Sequence, residues 1–116
     1  MKRIGIVGSG NVGTNTAFFI AENGSAHVTL VDLNDGIAGG KSLDLMEAGP
    51  VRGYSTSIRG SNRIDDIADS DIVIIAAGRV RKPGERREDL YRDNAPNVRA
   101  IAGEIARLAP SAVVIN

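Results

Sequence analysis

The stretch IGIVGSGNVGTNTAF, Ile4 to Phe18, decides how the whole chain is read. Lys2 to Val7 is short, apolar and β-prone, and it stops at Gly8, which predicts a buried strand. Asn11 to Glu22 then sets Val12, Thr16, Phe19 and Ala17, Ile20 at helical spacing. Asn23-Gly24 supplies the stop. Gly8, Gly10 and Gly13 therefore fall where a strand hands over to a helix. Each glycine in this spacing has its own use. The first permits a tight turn, the second lets a pyrophosphate reach the backbone, and the third lets the helix pack close to the sheet. The helix N-terminus adds free N–H groups and the positive end of its dipole. A glycine pattern alone is a weak signal in a chain with 14 glycines. Its place between a strand and a helix, with a second strand to follow, is what gives it weight.

Outward from this stretch, strands and helices keep alternating. HVTLVD, His27 to Asp32, predicts a second strand. Residues 36 to 48 place Ile37, Lys41, Leu45 and Ala38, Leu43, Met46 on a second helix that ends near Gly49-Pro50. YSTSIRG, Tyr54 to Gly60, predicts a third strand, followed by a helical turn over Arg63 to Ala68. DIVIIAAG, Asp71 to Gly78, predicts the fourth and most apolar strand. Residues 79 to 87 form a charged loop around Pro83-Gly84. A long helix is expected from Glu88 to Leu108, kinked or split at Pro96, and SAVVIN predicts a fifth strand. Continuously apolar strands alternating with helices define an α/β fold, a parallel sheet covered on both faces with right-handed crossovers. No repeat, linker or internal boundary interrupts residues 1–116, which are expected to form a single dinucleotide-binding domain.

Asp32 sharpens the prediction. It stands at the end of the second predicted strand, 19 residues after Gly13. There a carboxylate accepts both ribose hydroxyls of an adenosine and repels a 2′-phosphate, which favours NAD over NADP. The plain alternative is that Asp32 opens a turn with Asn34 and Asp35. Ser9 and Asn11 lie within the glycine turn, where backbone N–H groups matter more than side chains and either residue could simply cap the helix.

Composition narrows the remaining classes. Fourteen basic residues balance 14 acidic ones, which argues against a generally basic nucleic-acid binder. The absence of cysteine excludes disulfides and thiolate metal sites, and with one histidine no metal centre is expected. The N-terminal apolar run is broken by glycines and does not read as a signal peptide. No apolar run reaches spanning length, so no membrane partner is expected and a cytoplasmic setting is.

Six of the 14 basic residues lie in GRVRKPGERREDLYRDNAP, between Arg79 and Arg92. This loop follows the fourth strand, on the sheet edge where ligands bind in open parallel sheets. A Pro-Gly hinge among arginines suits a mobile lid that closes on an anionic substrate through guanidinium forks. A solvated loop neutralised by Glu85, Glu88 and Asp89 fits the same residues equally well. A phosphate or nucleic-acid surface fits poorly, because the acids are interleaved and no aromatic platform is near.

The whole chain resembles the N-terminal, NAD-binding half of malate dehydrogenases of the lactate-dehydrogenase-like class. GSGNVG looks like their nucleotide loop, GKSLDLMEA (Gly40 to Ala48) like the helix after their ribose-binding aspartate, AGRVRKPGERREDL (Ala77 to Leu90) like their substrate loop, and DNAP like the segment after it. The resemblance implies a Rossmann-type sheet of five strands with a sixth missing. It implies NAD(H) held by Gly8, Ser9, Gly10, Asn11, Val12, Gly13, Asp32, Ala77, Gly78 and Asn94, with Asn94 toward the nicotinamide. It makes Arg81 the residue that grips the distal carboxylate of malate or oxaloacetate. Lactate dehydrogenases typically carry glutamine at that position, so Arg81 favours the dicarboxylate. It makes Arg87 the lid arginine that polarises the ketone. Arg79, Lys82, Arg86 and Arg92 match no such role and read as surface charge.

The family's catalytic histidine, its orienting aspartate and a further substrate arginine belong to a substrate domain that these residues do not include. The family asparagine that touches both cofactor and substrate would fall a few residues past Asn116. His27 lies on the wrong part of the fold for proton transfer and reads as structural or solvent-facing. The resemblance thus implies the cofactor half of a malate dehydrogenase, with little or no turnover alone and malate or oxaloacetate engaged only with the missing domain. The resemblance implies that full-length relatives associate in part through the helix around Lys41 to Ala48; with the fifth strand expected as an unprotected edge, self-association of this chain is expected, with a dimer as its simple form. Two further readings stay open: a stand-alone nucleotide-binding module, and a purely structural subdomain.

Overall fold

The computed structural model describes residues 1–34 and 36–116. Asp35, part of the turn considered for Asp32, lies outside the described residues. Five strands form one parallel sheet: β1 (Lys2–Val7), β2 (Ala26–Val31), β3 (Ile58–Ser61), β4 (Ile72–Ile75) and β5 (Val113–Ile115). Their order across the sheet is β3-β2-β1-β4-β5. Three α-helices complete the fold: α1 (Asn11–Asn23), α2 (Ile37–Arg52) and α3 (Arg87–Leu108), with a 3₁₀ turn at Ile64–Ile67. This is the parallel α/β sheet expected from the alternation of elements, in the Rossmann-type arrangement that the resemblance implies.

The central strands β1, β2 and β4 carry apolar residues on both sides because both sides are covered. On one face Ile4, Ile6, Val28, Leu30 and Ile58 pack with Ala17, Ala21 and Ala38 of α1 and α2. On the other, Val7, Val31, Val73 and Ile75 pack with Ile67 of the 3₁₀ turn and with Ile105 and Ala109 at the end of α3. The chain reverses its direction of travel across the sheet between β1 and β4, which lie side by side. The loops that follow these two strands therefore diverge and leave a crevice at their C-terminal ends.

Several predicted details shift. Of the two apolar stripes read on α1, the one with Ala17 and Ile20 faces the sheet, alongside Gly13 and Ala21. Val12 and Phe19 face solvent, 70% and 65% exposed. Small residues win the inner face because the helix sits close to the strands. In α2 the same choice buries Ala38, Ser42 and Gly49 and leaves Ile37, Leu43 and Met46 exposed. That helix also runs through Pro50 to Arg52 and does not end at Gly49-Pro50. Proline removes a single hydrogen bond in its last turn, and the Gly53 N–H closes the helix on the Gly49 carbonyl at 2.8 Å. Pro96 likewise neither splits nor ends α3, which stays helical over 22 residues.

β3 begins four residues later than the sequence suggests. Before it, Tyr54 and Thr56 of YSTS turn inward and bond to the neighbouring helices, while Ser55 and Ser57 are exposed. The Tyr54 hydroxyl donates to the Leu45 carbonyl, and the buried Thr56 hydroxyl donates to the Ala21 carbonyl at 2.8 Å. Thr56→Val keeps the shape and removes this bond. The Ala21 carbonyl retains the Gly24 N–H at 3.1 Å, so the expected cost is about 1 kcal/mol. Thermal unfolding should register it as a fall of roughly 4–8 °C in Tm.

Candidate functional site

Gly8 leaves β1 with φ +110°, a conformation that side chains disfavour. Its N–H donates to the Val31 carbonyl at 2.7 Å, and a Cβ here would stand 2.6 Å from the Ala76 backbone. The turn is thus wedged between β2 and the end of β4. At Gly13 a Cβ would lie 1.8 Å from the Gly8 carbonyl oxygen, so only a bare backbone lets α1 start this close to β1. Gly10 is the opposite case. Among the described residues nothing stands within 4 Å of where its Cβ would be, and its backbone is extended at φ −70°. Two of the three glycines are demanded by the protein's own packing, and the middle one faces open space.

Among the described residues no side chain caps α1. Ser9 and Asn11, considered as caps, do other work or none. Ser9 is buried, and both its N–H (3.0 Å) and its hydroxyl (2.7 Å) donate to Oδ2 of Asp32. Its N–H therefore points at the carboxylate that ends β2. Asn11 and Val12 lie exposed in the first turn of the uncapped helix. The Asn34 N–H donates to Asp32 Oδ1 at 3.0 Å. Partial burial alone would raise the Asp32 pKa. The Ser9 hydroxyl, the Asn34 N–H and the Ser9 N–H together outweigh that and hold it below the ordinary 3.8. Asp32 is a fixed anion across the physiological range.

These groups frame a cleft of about 440 Å³ at the β1–β4 crevice. Gly8, Gly10, Asp32, Ala77 and Gly78, five of the residues assigned to the cofactor, line it. Ser9 and Gly13 are buried behind this lining. The sequence reading missed the far wall: Leu33 and Asn34 beyond β2, Ile64 of the 3₁₀ turn, and Asn97, Ala100 and Ile101 of α3. The 97, 100, 101 spacing is one helical face and was the available signal.

The arginine loop folds on itself at the same edge. Glu85 N–H donates to the Lys82 carbonyl at 3.1 Å across Pro83-Gly84, and Gly84 has φ +79°, the geometry of a type II turn. Arg79 is not surface charge. Its side chain is about one-third exposed and meets both oxygens of Glu85, with Nη1 to Oε2 at 2.8 Å. Its Nε reaches Asp93 Oδ2 at 2.9 Å. The guanidinium, with the Lys82 N–H, holds the Glu85 pKa down at about 2. Arg86 also has a partner: the Asp89 carboxylate accepts its N–H at 3.2 Å in a reciprocal helix cap.

Asn94 clamps the start of the loop. Its Oδ1 accepts the Arg79 N–H at 3.1 Å and its Nδ2 donates to the Arg79 carbonyl at 3.2 Å. Arg81 and Arg87 are exposed and form no ion pair among the described residues. They share a hollow with Leu90, Tyr91 and Asn94. His27 is exposed and pairs in register with Arg3, at the opposite end of the strands from this edge.

A glycine turn with one open glycine, an uncapped helix start and an ionised aspartate at the tip of the next strand define a dinucleotide-binding module of the doubly wound class. The comparison with known families agrees. Residues 2–116 match the model of the lactate/malate dehydrogenase NAD binding domain, and the chain belongs to that family. It is 47% identical over all 116 residues to a malate dehydrogenase of Methanosarcina mazei and spans 38% of that protein's length. It superposes on malate dehydrogenase from Plasmodium falciparum with a TM-score of 0.94 at 34% identity, covering 98% of this chain and 36% of that one. The malate dehydrogenase of Archaeoglobus fulgidus, solved in complex with NADH, matches with a TM-score of 0.89 at 33% identity, over 97% of this chain and 38% of that one. The chain thus corresponds to the NAD-binding N-terminal module of malate dehydrogenase, and NAD is its cofactor.

Proposed function

We propose that these 116 residues form one cofactor-binding domain, which holds NAD(H) and presents two arginines to a dicarboxylic substrate in the interconversion of malate and oxaloacetate. The observation that carries the reading is the pairing of open space at Gly10 with the fixed carboxylate of Asp32. The pyrophosphate would lie over Gly10 and the first N–H groups of α1, at Asn11, Val12 and Gly13. Asp32 would accept the adenosine ribose hydroxyls, and the apolar wall of Ile64, Ala77 and Ile101 would cover the adenine. Gly78 lets the cofactor pass close to the backbone, and Asn94 stands toward its nicotinamide end. When bound, the nicotinamide accepts or returns a hydride.

The chain's own residues would then orient the substrate. Arg81 pairs with the distal carboxylate through its guanidinium fork, which favours a dicarboxylate over a substrate with a methyl group there. Arg87 donates to the ketone oxygen as negative charge develops on it. The alcohol proton needs a base. His27, at the far end of the strands, is not placed for it, so malate turnover by this chain alone is expected to be negligible. The exposed Val113, Val114 and Ile115 of β5, whose one strand neighbour among the described residues is β4, support self-association as part of the same reading.

Titration by calorimetry with NADH and then NADPH tests the cofactor assignment. Saturable NADH binding, with NADPH weaker by at least about tenfold, is expected from charge repulsion at Asp32. Equal affinities would remove the role given to Asp32. No binding of either to the folded chain would leave the glycine turn as architecture alone.

A further inference from the structure

The loop after β4 carries its charges in two groups that behave differently. Arg79 is saturated: its fork takes both oxygens of Glu85 and its Nε takes Asp93. Arg81 and Arg87 are exposed and unpaired among the described residues. Yet Glu85 is a neighbour of Arg81, and both line the open hollow at the Lys82-Pro83-Gly84 turn. A free Glu85 carboxylate there would meet Arg81 with the same fork geometry as a substrate carboxylate.

We propose that Arg79 is a positioning residue that sorts the loop's charges: anchored on Asp93, it holds Glu85 so that Arg81 and Arg87 stay open to an external dicarboxylate. The proposal rests on the substrate reading above. Three features support it. Asn94 grips both backbone polar groups of Arg79, which fixes the root of the side chain. The Lys82 N–H donates to Glu85 Oε2 at 3.0 Å, so Glu85 is held from two directions. Asp93 lies in the second turn of α3 and ties the loop to a rigid element. Loss of Arg79 therefore does more than loosen the loop: it releases an internal carboxylate that competes with substrate.

The test compares R79M, E85Q and the double variant R79M/E85Q in the isotopically labelled 116-residue chain. Two readouts are taken: solvent exchange of the arginine Nε–H groups, and the change that added L-malate causes at Arg81 and Arg87 with NAD present. In the unaltered chain the Arg79 Nε–H is expected to exchange slowly and those of Arg81 and Arg87 quickly. R79M should slow exchange at Arg81 or Arg87, as Glu85 transfers to it, and weaken the malate response about tenfold. E85Q should leave Arg81 and Arg87 open with the malate response within about twofold, because a neutral amide cannot form the competing ion pair. The double variant should recover the open state and the malate response. Recovery on removing a second loop contact separates sorting of charge from simple support of the loop.

If R79M leaves Arg81 and Arg87 exchanging as before, or the double variant is no better than R79M, the proposal is overturned. If the exchange pattern is as expected while L-malate moves neither arginine in the unaltered chain, the sorting stands and the two arginines do not hold the dicarboxylate without the substrate domain.

Discussion

Gly13→Ala is expected to destabilise the chain by more than about 3 kcal/mol, whereas Gly10→Ala should leave stability nearly unchanged and sharply weaken NADH binding. At Gly13 the new methyl would start 1.8 Å from the Gly8 carbonyl oxygen and 2.9 Å from its carbon. Gly8 has no room to retreat, since its N–H is bonded to Val31 and its Cα already faces the Ala76 backbone. The α1 helix would have to lift from β1, uncovering Ala17 and Ala21. Better helix propensity returns only about 1 kcal/mol. Domains of this kind are stable by about 5–15 kcal/mol in total, so the loss is large. Gly10, extended and with nothing described within 4 Å, accepts a methyl in the free protein. The methyl then occupies the space left for pyrophosphate, at a cost of about 1–3 kcal/mol. That is a loss in NADH affinity of roughly fivefold to 150-fold. Thermal unfolding and calorimetry on the two variants separate the effects. A stable Gly13→Ala chain, or a Gly10→Ala chain that binds NADH normally, would show that the two glycines do not divide the work in this way.

Asp32→Asn should lower NADH affinity by about 1.5–3 kcal/mol, the worth of hydrogen bonds to a charged acceptor. It should narrow the preference over NADPH, since the repelling charge is gone. It also alters the acid response of the fold. The folded-state pKa of Asp32 lies below 3.8, because its hydrogen bonds from Ser9 and Asn34 outweigh the opposing effect of burial. Its contribution to stability is therefore complete above the unfolded value near 3.8 and is lost as pH falls through the lower folded value. The stability gap between the parent chain and Asp32→Asn should be constant from neutrality down to about pH 4 and should shrink below it. Urea midpoints measured across that range provide the check. A gap that stays constant to the lowest pH would mean that Asp32 is not held as an anion by these bonds.

Much of this site was legible in sequence because its pieces are local. Gly8, Gly10, Gly13 and Asp32 all belong to one β1–α1–β2 unit, and their spacing along the chain fixes their spacing in space. The alternation of apolar strands and helices determined the parallel sheet, and the position of the arginine loop after β4 placed it at the cleft edge. The Ser9–Asp32 bond had no signal in sequence, since nothing in a glycine turn says which way a serine hydroxyl will rotate. The far wall on α3 was visible only as a helical face with no indication of what it faced.

The amino-acid sequence by itself determined the fold class, several residues that line the cleft and the class of cofactor, because each is written in short-range patterns of size, charge and backbone freedom. Tertiary structure decided which stripe of α1 and α2 went inward, and it chose Gly13, Ala17 and Ala21 over Val12 and Phe19 because the close approach of helix to sheet rewards small residues over apolar bulk. It also decided that Arg79 is paired while Arg81 has no ion pair among the described residues. Charge pairing is set by distance through space, and in this loop a carboxylate 14 residues away, on Asp93, lies within hydrogen-bond reach of Arg79.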